Sequence, residues 1–279
     1  MTLTVDAHHH FWHPARGDYG WMPEDDPVLS RLYGPQDLAP ALHTTKIQKT
    51  ILVQAAPTTH ETEYLLGIAD ATPHVAGVVG WIDFEDPSQI KTLERLAKHP
   101  KFKGVRPMIQ DLPDDEWMLR TDIQWAYKAL IDLDLTFDAL GFPRHIPHFL
   151  TLLNRYPNLR AVLDHCLKPQ LRAHTPDSLL HWQRGMTELA KTNAYLKLSG
   201  LLTEADSPIT ATDLRPYTDH AIAAFGPDRV MWGSDWPVLR LRAEYADWHT
   251  LAQRLTDHLD AAAKTAIFGT TAATFYRLD

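Results

Sequence analysis

A single cysteine, Cys166, stands in a chain of 279 residues. That rules out an intramolecular disulfide and points to a reducing compartment. No run of 18 or more apolar residues occurs, so neither a spanning helix nor a membrane partner is expected. The N-terminus lacks the basic and apolar regions of a secretory signal, so the expected location is cytoplasmic. Positive charge is also short: 27 Lys and Arg against 35 Asp and Glu give a formal net charge of -8. Such a balance argues against a nucleic-acid partner and mildly against a strongly anionic substrate. Glycine is absent from the first apolar run, "VDAHHHFW" at residues 5–12. A doubly wound dinucleotide-binding sheet would place a glycine-rich phosphate turn there, so that class is disfavoured. No internal repeat, low-complexity tract or interdomain linker is visible, and residues 1–279 read as one domain.

What the chain does contain is alternation. Short runs rich in Val, Ile, Leu and aromatics read as strands: "LTVDAHH", "KTILVQA", "VAGVVGWID", "FKGVRPM", "LTFDAL", "RAVLDHC", "AYLKLSG" and "RVMWGSD". Between them lie segments with apolar residues at three- and four-residue spacing, such as "ETEYLLGIADA", "IQWAYKALIDL" and "PDSLLHWQRGMTELAKT". Strands alternating with helices pair in parallel through right-handed crossovers, and eight such units predict a (β/α)8 barrel of the α/β class. Residues 13–40 after the first run are rich in proline and glycine and read as one long loop, suited to a binding or lid role. The C-terminal "DAAAKTAIFGTTAATFYRL" reads as helix that closes the barrel.

A barrel carries its reactive groups at the C-terminal ends of its strands. Applied evenly, that rule selects His8 and His10, Arg106, Asp138, Asp164 and His165, Lys197 and Ser199, and Ser234-Asp235-Trp236. Strict alternation puts Asp6, His8, His10 and Trp12 on one face of the first strand, with Val5, Ala7, His9 and Phe11 on the other. The histidine triplet is then a His-x-His pair, roughly 7 Å apart at Cα, with His9 turned towards the helices. His8, His10, His165 and Asp235 form an N/O ligand set for one divalent ion with an open position, Zn²⁺ by ligand type. Asp235 is the candidate general base towards water. Without metal, Arg106 and Lys197 are the cationic groups for an oxyanion. Trp12, Tyr19, Trp21 and Trp236 offer flat faces for a sugar ring, and Asp138, Lys168 and Arg106 offer polar partners for its hydroxyls. Cys166 faces away from His165 and reads as a small buried residue.

Taken together, "DAHHHFW", "GDYGWM", "KGVRPMIQD", "FDALGFPRHIP", "LDHCLKP", "YLKLSG" and "GPDRVMWGSDWPV" resemble the amidohydrolase superfamily, and within it the lactonase branch of sugar-lactone hydrolases. The resemblance runs from about Val5 to the C-terminal "FGTTAATFYRL". It implies a distorted barrel, with the strand-end histidines carried onto His8, His10 and His165 and the last-strand aspartate onto Asp235. Two-metal members use a bridging lysine and a further strand-end histidine. Here Arg106 and the pair Lys197 and Ser199 stand instead, so at most one ion is expected, and metal-free members leave its requirement open. The expected reaction is hydrolysis of a sugar lactone to the aldonic acid, with a small-molecule lactone as partner and a homo-oligomer allowed. Hydrolysis of a carboxylated lactone or pyrone, or metal-dependent decarboxylation, is the alternative. A dicarboxylated substrate would call for several arginines, and Arg16, Arg106, Arg144, Arg240 and Arg242 are the candidates.

Overall fold

The structure is a computed structural model that describes residues 3–206 and 209–278. Eight strands follow one another in sheet order: β1 (Val5–His9), β2 (Lys49–Val53), β3 (Val75–Gly80), β4 (Phe102–Val105), β5 (Thr136–Ala139), β6 (Arg160–Leu163), β7 (Tyr195–Leu198) and β8 (Val230–Trp232). Every neighbouring pair from β1–β2 to β7–β8 is parallel. Helices fill the crossovers: α1 (Pro35–Thr45), α2 (Thr59–Ala71), α3 (Ile90–Leu96), α4 (Gln124–Asp132), α5 (Ile146–Arg155), α6 (Pro176–Ala190) and α7 (Ala211–Phe225), and α8 (Tyr245–Leu255) comes after the last strand. The chain ends in α9 (Ala261–Thr265), a π-turn at Ala266–Thr270 and α10 (Thr271–Tyr276). The expected barrel is therefore present.

Two apolar layers hold it. Leu52, Phe137, Leu163 and Leu196 point outward and pack under the helices. Val5, Ala7, Ile51, Val53, Val79, Val162 and Met231 fill the interior, where Phe275 and Tyr276 of α10 join them. The eight expected strands all form, because each run is apolar on both faces, as a strand buried on both sides requires. Two helices were not read from the sequence. α1 occupies the end of the presumed loop 13–40, with Gly34 before Pro35 at its first turn and the Asp37 carboxylate accepting from Gly34 N. α8 follows β8 and buries Tyr245, Trp248 and His249.

Strict alternation along β1 does not hold. Asp6 pairs with Thr50 and His9 with Leu52, so three steps on β1 match two on β2. This bulge changes the phase of the strand. Val5 and Ala7 face the barrel interior, and Asp6 turns out to the Tyr245 hydroxyl of α8, 3.0 Å away. Beyond the bulge, His8 and His10 face inward and His9 outward, where its Nε2 lies 2.9 Å from Thr50 Oγ1. The expected shared face of Asp6 and His8 is thus wrong, while the orientation of the histidines matches.

The ring closes between β8 and β1, but not by a regular ladder. Asp235 N donates to His8 O at 2.7 Å and His10 N donates to Trp236 O at 2.7 Å. Ser234 N donates to Asp6 Oδ1 at 2.8 Å. The distortion of the barrel and its candidate site therefore coincide.

Candidate functional site

The residues after β6 and β8 take unusual backbone. His165, Cys166, Leu167 and Lys168 all have φ near +50°, a left-handed turn made without glycine, and Asp235 has φ +58°. Non-glycine residues visit this region at a cost of order 1 kcal/mol or more each, and such outliers cluster at functional sites. The turn swings His165 and Lys168 over the mouth of the barrel. Gly200, itself at φ +64°, lies flat beneath His165; a Cβ there would come within 2.5 Å of its Nδ1.

Four side chains converge. His8 Nε2 and His10 Nε2 are 3.2 Å apart. Asp235 Oδ1 is 3.3 Å from His10 Nε2, 3.7 Å from His8 Nε2 and 3.8 Å from His165 Nε2. His10 Nδ1 donates to Val53 O at 2.8 Å, which leaves its Nε2 with the lone pair. The Nδ1 of His165 is 2.9 Å from Ser199 Oγ. His8 has donors beside both ring nitrogens, Lys197 Nζ at 3.2 Å from Nδ1 and Arg106 Nη1 at 3.4 Å from Nε2. Burial, with neighbouring cations, holds His8 well below the usual imidazole range. Burial lowers His10 and brings His165 down to about 4. Burial alone would raise Asp235, but His165, His10 and His8 outweigh it and hold the carboxyl below its ordinary value. At neutral pH the cluster is three neutral imidazoles and one carboxylate.

That donor set fits a divalent ion. His8, His10 and Asp235 each offer one ligand atom, all within 4.8 Å of one another. A tetrahedral ion with bonds of about 2.0–2.1 Å needs ligand atoms about 3.3 Å apart. Three protein ligands and one open direction are the pattern of catalytic sites.

Below this layer the barrel axis carries a buried ion network. Lys197 Nζ reaches Asp138 Oδ2 at 2.5 Å and Asp164 Oδ1 at 3.0 Å. The Tyr276 hydroxyl donates to Asp138 Oδ2 at 2.7 Å from the opposite end of the barrel. Asp164 also faces His8 Nδ1 at 3.5 Å and Arg106 Nη1 at 3.6 Å. Burial would raise Asp164, but Lys197 and His8 hold it well below the usual carboxylate range. Asp138 instead stays raised by burial. Gln54 fixes Arg106 by accepting from its guanidinium at 2.5 Å through its carbonyl and donating to Arg106 O at 2.7 Å.

Above the cluster opens a cavity of about 300 Å³, lined by His10, Arg106, His165, Lys168 and Asp235 together with Trp12, Trp21, Met108 and Gln110. Of the expected site residues, the structure thus gathers His8, His10, Arg106, His165 and Asp235, with Trp12, Trp21 and Lys168 at the cavity. The others lie elsewhere. Asp138 and Lys197 are fully buried beneath His8, because they sit inside the strands and pair with each other. They are out of reach of a ligand in the cavity. Trp236 packs edge-on against Phe11 and Tyr33, and Tyr19 is buried with its hydroxyl towards His13 N. Neither lines the cavity. Sequence reasoning passed over the role of Asp164, although it precedes His165 at a strand end. It missed Gln54, which carries no sequence signal. Among the described residues the cavity lining holds one arginine, Arg106; Arg16, Arg144, Arg240 and Arg242 pair with Asp18, Asp115, Glu244 and Asp206 elsewhere. Cys166 is buried, and burial pushes its thiol up to about 12.

Comparison with known proteins agrees with this architecture. Residues 5–278 match the amidohydrolase family model. The chain is 41% identical to an L-fucono-1,5-lactonase of Burkholderia ambifaria, covering 100% of this chain and 97% of that one. A second L-fucono-1,5-lactonase, from Burkholderia multivorans, is 37% identical over 99% of this chain and 96% of its own. The crystal structure of a Burkholderia multivorans amidohydrolase with bound Zn superposes with a TM-score of 0.92 at 36% identity, covering 99% of this chain and all of that one. The chain belongs to the amidohydrolase family.

Proposed function

We propose that the protein hydrolyses a sugar 1,5-lactone to the aldonic acid. The observation that carries this reading is the cavity itself. Its floor is the Asp235 carboxylate between the His10 and His165 imidazoles, and its walls carry Trp12 and Trp21 with, among the described residues, a single arginine, Arg106. Both wall indoles spend their N–H groups on backbone, Trp12 on Leu29 O and Arg31 O and Trp21 on Ala55 O. Trp21, 37% exposed, is placed to cover the C–H face of a neutral sugar, and the buried Trp12 packs edge-to-face against it. A dicarboxylated pyrone would need more than one arginine. Two relatives that span the whole chain carry L-fucono-1,5-lactonase names, in keeping with this substrate class.

The chemistry follows from the chain's own groups. Asp235, ionised at neutral pH, accepts the proton of a water that attacks the lactone carbonyl. His165 Nε2, beside Asp235, orients that water. The guanidinium of Arg106, held in place by Gln54, faces the developing oxyanion. The ring oxygen leaves as an alkoxide and takes its proton from Asp235. A zinc ion held by His8, His10 and Asp235 would supply Lewis-acid polarisation of the carbonyl. Lys168, at the cavity rim, is placed to bind substrate hydroxyls.

A panel of sugar 1,5-lactones, read by acid release with and without chelator, tests the assignment. Turnover of at least one member, lowered about 10²- to 10⁴-fold by Asp235→Asn, is expected. Near wild-type turnover in Asp235→Asn, or release of CO₂ in place of a hydroxy acid, would sink it.

A further inference from the structure

A second hollow of about 340 Å³ adjoins the catalytic cavity on the same barrel face. It lies among the segments that follow β1 to β4, and Trp21, Met108 and Asp111 line both hollows. Its own walls are almost wholly apolar: Trp81, Phe84, Leu112 and Trp117 with Pro57 and Pro107. Nothing in the proposed reaction uses it.

Several of its polar groups are already engaged. The indole N–H of Trp117 donates to Glu85 Oε1 at 2.7 Å, and that carboxylate also takes Arg120 at 3.2 Å. Asp83 accepts from Glu85 N at 2.8 Å, and Asp111 faces the Gln110 side-chain amide. A second sugar ring would find ring faces but few donors. An anionic group would meet three carboxylates at Asp83, Glu85 and Asp111 and, among the described residues, no lysine or arginine in the lining. An uncharged hydrocarbon group meets neither obstacle and covers tryptophan surface. Trp21 in the shared wall is 37% exposed, so the rim beside it is the route by which a substituent would pass from one hollow to the other.

We infer that this hollow binds an uncharged alkyl or aryl substituent of a lactone whose ring occupies the catalytic cavity. The inference rests on the lactonase reading and extends it from sugar lactones to lactones with an apolar tail.

The test is a series of δ-lactones with alkyl tails of one, three, five and seven carbons on the ring carbon next to the ring oxygen. KM is expected to fall by about fourfold for each methylene that enters the hollow, the worth of burying one CH₂ group. Leu112→Asp, which puts a charge on the wall, is expected to flatten the series; circular dichroism checks its fold. Hydrolysis of sugar 1,5-lactones together with a KM independent of tail length overturns the inference and leaves the lactonase reading intact. If no lactone is turned over, the lactonase reading fails, and calorimetric binding of the matching alkyl δ-lactams still decides the point. A dissociation constant that drops with tail length in the wild type but not in Leu112→Asp supports the hollow. One that ignores tail length rejects it.

Discussion

At the residue scale, the three consecutive histidines have two different jobs. His8 and His10 meet at 3.2 Å over the barrel axis, while His9 pairs with Thr50 outside it. His8→Ala and His10→Ala are therefore expected to abolish most lactone turnover. His9→Ala should leave kcat within a few-fold and lower thermal stability instead, by about 1–3 kcal/mol for the lost buried partner of Thr50. Equal kinetic loss at all three positions would contradict the strand phase described above. Gly200 gives a second residue-scale prediction. Its φ of +64° disfavours any side chain. If His165 orients the water as proposed, Gly200→Ala should lower kcat more than it raises KM, because a Cβ there would push on His165. Lys197 belongs to structure more than to chemistry. Lys197→Met leaves Asp138 buried without its cation and Asp164 with only Arg106 at 3.6 Å, and should cost about 3–5 kcal/mol, read by chemical denaturation. Adding Asp138→Asn should recover part of that loss.

At the scale of elements, Glu61 ties a helix to the site. It sits in the first turn of α2, where Thr58 caps the helix by accepting from Glu61 N. Its carboxylate accepts from Ala55 N at 2.9 Å and Ala56 N at 2.7 Å, fixing the segment after β2 that lines the cavity and receives the Trp21 indole. Burial raises Glu61 to about 7 against those two donors, from an ordinary value of 4.5. A raised folded-state value means that ionisation opposes folding. The favourable contribution is complete below about pH 4.5 and is lost as pH rises through about 7. Stability should thus decline across that window by an amount on the order of 3 kcal/mol. In Glu61→Gln this part of the slope should vanish; an unchanged pH–stability curve would show that Glu61 does not titrate there. The same element scale shows what a sequence can and cannot reveal. Eight strands were legible because β-branched and aromatic runs recur between amphipathic segments. Strand ends named His8, His10, His165 and Asp235 because a barrel puts reactive groups there. The bulge in β1 was not legible, since it is set by the pairing of Asp6 with Thr50 and His9 with Leu52. Nor was the depth of Asp138 and Lys197, which depends on long-range ion pairing inside the barrel. α1 was hidden by the proline and glycine that start it.

At the scale of the whole molecule, the weakest join of the barrel lies under its site. β1 and β8 are linked through His8, His10, Asp235 and Trp236 backbone, plus the Asp6 carboxylate, in place of a regular strand ladder. The candidate ligands stand on both sides of that seam, His8 and His10 on β1 and its continuation, Asp235 just after β8. A group that bridges them would staple the two ends of the sheet together, so its binding free energy should appear as global stability. For a ligand that binds only the folded chain, the gain is about 2.7 kcal/mol at a hundred times its dissociation constant. Zinc added to metal-stripped protein is accordingly expected to raise the midpoint of thermal unfolding by several degrees, and chelator to reverse it, whether or not turnover depends on metal. His10→Ala should lose the shift, because it removes one ligand while leaving the backbone bond from residue 10 to Trp236 O in place. A zinc shift of equal size in wild type and His10→Ala would move the ion elsewhere and leave the seam held by hydrogen bonds alone. A shift confined to the wild type, without any change in lactone turnover, would instead assign the ion to the fold and the oxyanion to Arg106.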